Sequence, residues 1–193
     1  EGQHLVRNGE SNIIVIGKWH SQPQGNWAAT TELHFGNLTL DIEAPPEQVY
    51  SSFRGIYIAN YNLENGWTWV KSISSREGNY GDNFGFLSYG AVVASDGSII
   101  VHGKTRHGFV IDSYVYDPVC PGKDGNGCHH SFFAKFSVDG SLAYVRELDA
   151  TISDIVLDNF NHIYITGWWS LPYETLSSDY PEGVCLHFPT EDQ

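Results

Sequence analysis

Along this chain, apolar residues come in short runs that alternate with polar positions and stop at Gly, Asn or Asp. A period of two punctuated by turn residues predicts β-strands, not helices. One unit recurs three times: a polar turn, a short aliphatic strand, then glycine. It reads Asn12-Ile13-Ile14-Val15-Ile16-Gly17, Ser98-Ile99-Ile100-Val101-His102-Gly103 and His162-Ile163-Tyr164-Ile165-Thr166-Gly167. A second unit interleaves with the first. Ile58-Ala59-Asn60-Tyr61 passes through Glu64-Asn65-Gly66 into Trp67-Thr68-Trp69-Val70, and Phe133-Ala134-Lys135-Phe136 passes through Val138-Asp139-Gly140 into Leu142-Ala143-Tyr144-Val145. Each is strand, Asn-Gly or Asp-Gly turn, strand, which predicts a hairpin. Val184-Cys185-Leu186-His187-Phe188 is a degraded third copy of its first strand.

Residues 89–94 and 152–157 supply one more strand before the second and third glycine-ended strands. With the strands of a unit labelled A to D, the chain opens on a C–D pair, runs through two A–B–C–D units and closes on a lone A strand. Four antiparallel strands joined by short turns make a propeller blade. The expected fold is all-β: one propeller-like domain over 1–193, a repeat-built array of about three four-stranded antiparallel blades. Its parts are a partial blade at 1–42 with an extra hairpin, blades at 53–108 and 130–170, and a terminal strand at 183–188. A β-sandwich is the alternative, because Greek-key connections also yield many short strands. The nearest approach to a helix, around 45–51, is broken by Pro45-Pro46.

Three stretches lie outside the repeating unit. Residues 31–42 read as an additional hairpin about Gly36-Asn37, and further insertions run over 109–128 and 170–183. All three follow a D strand. Insertions at equivalent positions are expected on one side of the array, where repeat proteins carry binding surfaces.

The stretch 132–167 carries a resemblance. Phe133-Ala134-Lys135-Phe136, Val138-Asp139-Gly140-Ser141 and Ile163-Tyr164-Ile165-Thr166-Gly167 are similar to the SBBP-type β-propeller repeat of secreted and surface proteins. Residues 56–103 resemble it more loosely, with Asn60 in place of the lysine, so the likeness covers about half the chain. It implies a propeller and an extracellular location, and supplies no catalytic residues. The chain departs from that family in holding about two and three-quarter blades, where closed propellers use about four to eight. Either further copies complete a ring or the ends are capped in another way.

Composition narrows the partners. With 10 Lys+Arg against 23 Asp+Glu, the formal charge is −13, and no basic cluster is present to neutralise phosphates. Nucleic acid is therefore not expected as a partner. No apolar stretch approaches the ~20 residues of a membrane span, so insertion is not expected either. Charged residues are only 17% of the chain, which leaves a neutral-polar surface suited to strands and turns. The sequence starts at Glu1 and contains no methionine. We read it as an exported chain that has lost a signal peptide, with a fragment as the alternative.

Export suits the cysteines. Cys120 and Cys128 bracket Pro121-Gly122-Lys123-Asp124-Gly125-Asn126-Gly127, a turn-rich segment able to bring its ends within disulfide distance. A disulfide between them is expected, with two free thiols as the alternative. Cys185 is left over, in a strand.

Other candidate sites each have a plainer explanation. Trp168 and Trp169 open the third insertion, followed by Tyr173 and Tyr180. Exposed Trp and Tyr at loop mouths stack on sugar rings, and one of the adjacent Trp168 and Trp169 must face away from the core, so these four are the candidate ligand-binding set. Trp67 and Trp69 alternate in one strand, are expected on one face, and are read as packing between blades. His129 and His130 beside Cys128 have zinc-ligand chemistry but point to opposite faces of a strand, so no metal site is assigned. His102 is expected to be a satisfied edge residue. The oxygen-rich turns Asp124-Gly125-Asn126 and Tyr80-Gly81-Asp82-Asn83 lack the closing bidentate Glu of a calcium loop. No cofactor is expected, with calcium at these turns as the alternative. Asn37-Leu38-Thr39 is a glycosylation sequon.

No nucleophile elbow, phosphate loop or Cys–His signature is present. The reading is a secreted or surface-exposed, non-enzymatic interaction or structural module that assembles as a homo-oligomer or polymer, or with a partner. A carbohydrate-binding lectin with a glycan ligand is the alternative. A glycoside hydrolase stands third, because paired carboxylates leave no local motif.

Overall fold

The computed structural model describes residues 2–21, 31–42, 53–75, 88–105, 108–116, 130–148, 150–169 and 184–188. Among them are fifteen strands, all paired antiparallel, and no helix; no sheet closes into a barrel.

The first sheet is a meander of β1 (Gly2–Asn8), β2 (Asn12–Ser21), β5 (Phe53–Asn62) and β6 (Gly66–Ser75), extended by β9 (Phe109–Ile111) and β10 (Tyr114–Tyr116). The second holds β7 (Ser88–Val93), β8 (Ile99–Thr105), β11 (His130–Phe136) and β12 (Leu142–Leu148) in that spatial order. The third holds β13 (Ala150–Leu157), β14 (Ile163–Trp169) and β15 (Val184–Phe188). β3 (Thr31–Phe35) and β4 (Leu38–Ile42) form a separate hairpin, as the pattern over 31–42 requires.

The three sheets are copies of one unit in register. Gly17 pairs with Tyr57, Gly103 with Phe132 and Gly167 with Val184, each joining the second strand of a sheet to its third. Two residues along, Val15, Val101 and Ile165 pair with Ala59, Ala134 and Leu186. The unit, however, is C–D–A–B and not A–B–C–D. Each D strand pairs with the A strand that follows it, so the expected blades at 53–108 and 130–170 are each divided between two sheets. The long connections after D strands return to the sheet they left. The step from β12 to β13 spans only residue 149, yet it carries the chain into the next sheet. Connection length follows insertion, whereas sheet membership follows which edge has a hydrogen-bonding partner.

Face-to-face packing orders the sheets. Ile14, Ile16, Ile56, Ile58 and Ile73 of the first sheet meet Ile99, Val101, Phe132, Ala134 and Phe136 of the second in one buried core. The opposite face of the second sheet presents Ile100 and Phe133 to Ile152, Ile155, Ile163 and Ile165 of the third. The second sheet is thus the middle layer, and β7 lies against both β1 and β13 along one margin. Alternation in β8 and β11 is apolar on both faces, as a middle layer requires.

A β-bulge corrects one expectation. Tyr61 pairs with Trp67 and Asn60 with Trp69, leaving Thr68 unpaired; Ala143 is bulged out at the same place in the second sheet. The extra residue turns Trp67 and Trp69 to opposite faces. Trp69 packs on the core between the first two sheets and donates its indole N–H to the Val138 carbonyl at 2.9 Å. Trp67 faces outward, edge-on to Phe35 at 5.2 Å and Tyr61 at 5.0 Å. There the β3–β4 hairpin covers the outer face of the first sheet, with Leu33 and Leu40 packed, like Tyr57, on Trp19.

Candidate functional site: the loop rim

Because every unit is a meander of the same phase, its tight turns gather on one rim. The turns at 8–12, 62–66, 94–98, 137–141 and 158–162 lie there, and the connections spanning 22–52, 76–87, 106–129 and 170–183 leave from the opposite rim. All three insertions therefore emerge on one side, at the ends of β2, β8 and β14.

The turn rim is built for cohesion. Asp96, Asp139 and Asp158 accept hydrogen bonds from the backbone N–H groups of Ser98, Ser141 and His162, as Asx turns do. Asp158 also accepts from the Phe160 N–H at 2.8 Å, the Tyr164 hydroxyl at 3.2 Å and His162 Nδ1 at 2.8 Å. Desolvation opposes ionisation of this carboxyl, but the bonds from His162 and Phe160 outweigh it and hold the pKa down to about 2. Turns of adjacent sheets are joined directly. Asn8 Nδ2 donates to the Gly97 carbonyl at 3.1 Å, and the Ser95 N–H donates to Asn161 Oδ1 at 2.8 Å.

The loop rim carries more varied chemistry. Tyr89 is buried at the start of β7, with His4 edge-on to its ring at 5.5 Å and Lys18 Nζ 5.2 Å from the ring centroid. Tyr116 and His130 close the neck of the connection 117–129. The Tyr116 hydroxyl lies 3.1 Å from His130 Nδ1, and the rings meet edge-on at 5.7 Å. β14 ends on this rim with Trp168 and Trp169, whose backbones pair with Thr151 and Ala150. The side chains of Trp168 and Trp169 lie outside the described residues, as do Tyr173 and Tyr180 altogether. Cys120, Cys128, His129 and the two oxygen-rich turns also lie outside them. Among the described residues, no three or more His, Cys, Asp or Glu side chains group as a metal site would require. No described helix is long and apolar enough to cross a membrane.

Asn37 sits exposed at the tip of the β3–β4 hairpin. Gly36 takes φ 60 at the first central position, the conformation that a tight two-residue turn of type II′ demands there. The sequon thus occupies a protruding, solvent-facing turn.

His102 is not an edge residue. β8 is a central strand, and His102 is 5% exposed on the face that packs against the third sheet. Its Nδ1 is buried with no hydrogen-bond partner. Across the strand pair stands Gly90, and a Cβ there would come within 2.6 Å of His102 Nε2. Burial lowers the imidazole pKa to about 4, with Asp154 opposing the shift and His4 adding to it. The sequence signal was present in the repeat: His102 occupies the position of Ile16 and Thr166. What could not be read was that Gly90 opens space for an imidazole inside an interface. No family model matches this chain, and none of the curated proteins matches it.

Proposed function

We propose that this chain is a non-enzymatic, extracellular interaction or structural module of propeller type that assembles with further copies of itself. One observation carries the reading. Val6 opposes Ile14 and Val92 opposes Ile100, and each pair packs against a following sheet. The equivalent pair in the third sheet is Val156 and Tyr164, where Val156 is 52% exposed. Phe160, on the adjoining turn, is 78% exposed. Two sheet-on-sheet contacts within the chain use these positions, whereas Val156 and Phe160 stand exposed on the third sheet. A second copy stacked on that face repeats the internal contact. The meander sheets, whose first strands lie side by side, support the propeller-type reading and the resemblance to secreted repeat proteins.

Light scattering and native mass measurement at micromolar concentration in physiological salt test this. Assembly that is lost in Val156→Glu is the expected result. A monodisperse monomer, with no filaments by electron microscopy, overturns the reading.

A lectin is the second reading, favoured by the position of Trp168 and Trp169 where β14 reaches the loop rim. Glycan-array binding that disappears in Trp168→Ala would favour it over assembly alone.

A further inference from the structure

Two interfaces hold the three sheets together, and they are built unequally. Between the first and second sheets, the buried core draws on four strands of each, and the β9–β10 hairpin ties them further. That hairpin arises from the connection between β8 and β11 of the second sheet, yet pairs with β6 of the first. Phe109 of β9 is buried against Phe132 of β11, ring centroids 4.3 Å apart. Between the second and third sheets the described buried core is smaller: Ile100, Phe133, Ile152, Ile155, Ile163 and Ile165. Cross-sheet hydrogen bonds there include Ile152 N–H to Ser131 Oγ at 3.0 Å and Ser95 N–H to Asn161 Oδ1 at 2.8 Å.

His102 lies in this second interface. Hydrogen-bonded polar groups are tolerated in a core; a buried one without a partner costs free energy, and a buried cation costs more. Its surroundings offer little compensation for charge. Gly90 and Val92 of β7 contribute none. Asp154 of β13 is a neighbouring carboxylate, and it is exposed to solvent. His4 of β1 adds repulsion when charged. The other charged residues on the same face of the second sheet are cations: Lys104 of β8, Lys135 of β11 and Arg146 of β12.

We infer that the interface between the second and third sheets is an acid-labile joint, in which protonation of His102 releases β13 and β14 while the first two sheets stay packed. Neutral imidazole fits the space over Gly90. Imidazolium has the same shape but would bury a charge whose Nδ1–H finds no acceptor, and the layer with the smaller described core separates to hydrate it. The opened state carries an imidazole with its ordinary proton affinity, so it binds more protons than the closed state once pH falls below about 6.5. Opening therefore rises as pH falls and levels off below about 4, the pKa of the closed form. Between pH 7 and pH 5 the opened population increases on the order of twenty-fold.

Amide hydrogen exchange of the whole chain at pH 7, 6 and 5, corrected for the intrinsic pH dependence of exchange, is the test. Protection in β13 and β14 should fall about twenty-fold relative to β2 and β5 of the same molecules. His102→Phe, which keeps a planar ring over Gly90, should abolish that difference. The wild-type comparison stands on its own if that variant does not fold. Parallel changes in the first and third sheets overturn the proposal, as does a pH-dependent loss in His102→Phe equal to that of the parent.

Discussion

Gly90 and His102 face each other across β7 and β8 so closely that a Cβ on Gly90 would stand 2.6 Å from the imidazole Nε2. Real side chains do not approach so near, so even the smallest addition must displace the ring or the strand. Gly90→Ala is expected to destabilise the protein by about 1–3 kcal/mol, as overpacking of a filled core does. Chemical denaturation followed by tryptophan fluorescence measures it. A midpoint equal to the parent's would mean that His102 has room to move.

Asp158 predicts a pH dependence of opposite origin to that of His102. Its folded pKa, about 2, lies below the ordinary carboxyl value, so the ionised form is favoured by folding. Its contribution is present above about pH 4 and is lost as pH falls through about 2. Asp158→Ala should therefore lower the thermal midpoint at pH 6 and have less effect near pH 2. Thermal scans of both proteins across that range check it; a gap that stays constant with pH contradicts the assignment.

The two tryptophans of β6 should behave differently when removed. Trp69 bridges the first and second sheets, so Trp69→Ala is expected to cost about 2–4 kcal/mol of global stability. Trp67 holds the β3–β4 hairpin against the outer face of the first sheet. Trp67→Ala should free that hairpin to limited proteolysis within 31–42 while the equilibrium unfolding of the sheets changes less. Equal effects of the two substitutions would count against the bulge at Thr68 as the device that separates them.

Contact between Tyr116 and His130 brings together the two ends of the connection that contains Cys120 and Cys128. A short connection with a closed neck favours pairing of the cysteines inside it, and the bond should add on the order of 2–3 kcal/mol. Peptide mapping without reduction is expected to recover both cysteines in one linked peptide. Two free thiols, trapped by alkylation before digestion, would refute it.

Much of this architecture is legible in the chain itself. The three aliphatic strands and the Asn-Gly and Asp-Gly turns are local signals, and each corresponds to a strand or turn of the structure, although Gly17, Gly103 and Gly167 are paired inside their strands, which run on to Ser21, Thr105 and Trp169. The same is true of the hairpin about Gly36-Asn37, because turn conformation and side-chain alternation depend on a few neighbouring residues. The equivalence of Gly17, Gly103 and Gly167 was likewise visible, since a repeated sequence pairs in a repeated register.

What only the tertiary structure decided depends on residues far apart in sequence. That β2 pairs with β5 across a long insertion, while β12 and β13 part company over one residue, is settled by competition among strand edges. The burial of His102 is of the same kind. It requires Gly90 beside it in the same sheet and β13 from the next, so a residue that reads as a satisfied edge histidine in the strand alone becomes a core residue whose Nδ1 has no partner. Alternation, which is local, places Trp67 and Trp69 on one face, and one extra residue opposite Asn60 and Tyr61 separates them. Local chemistry dictates what each strand is; pairing across the sheet and packing between sheets dictate what each side chain meets.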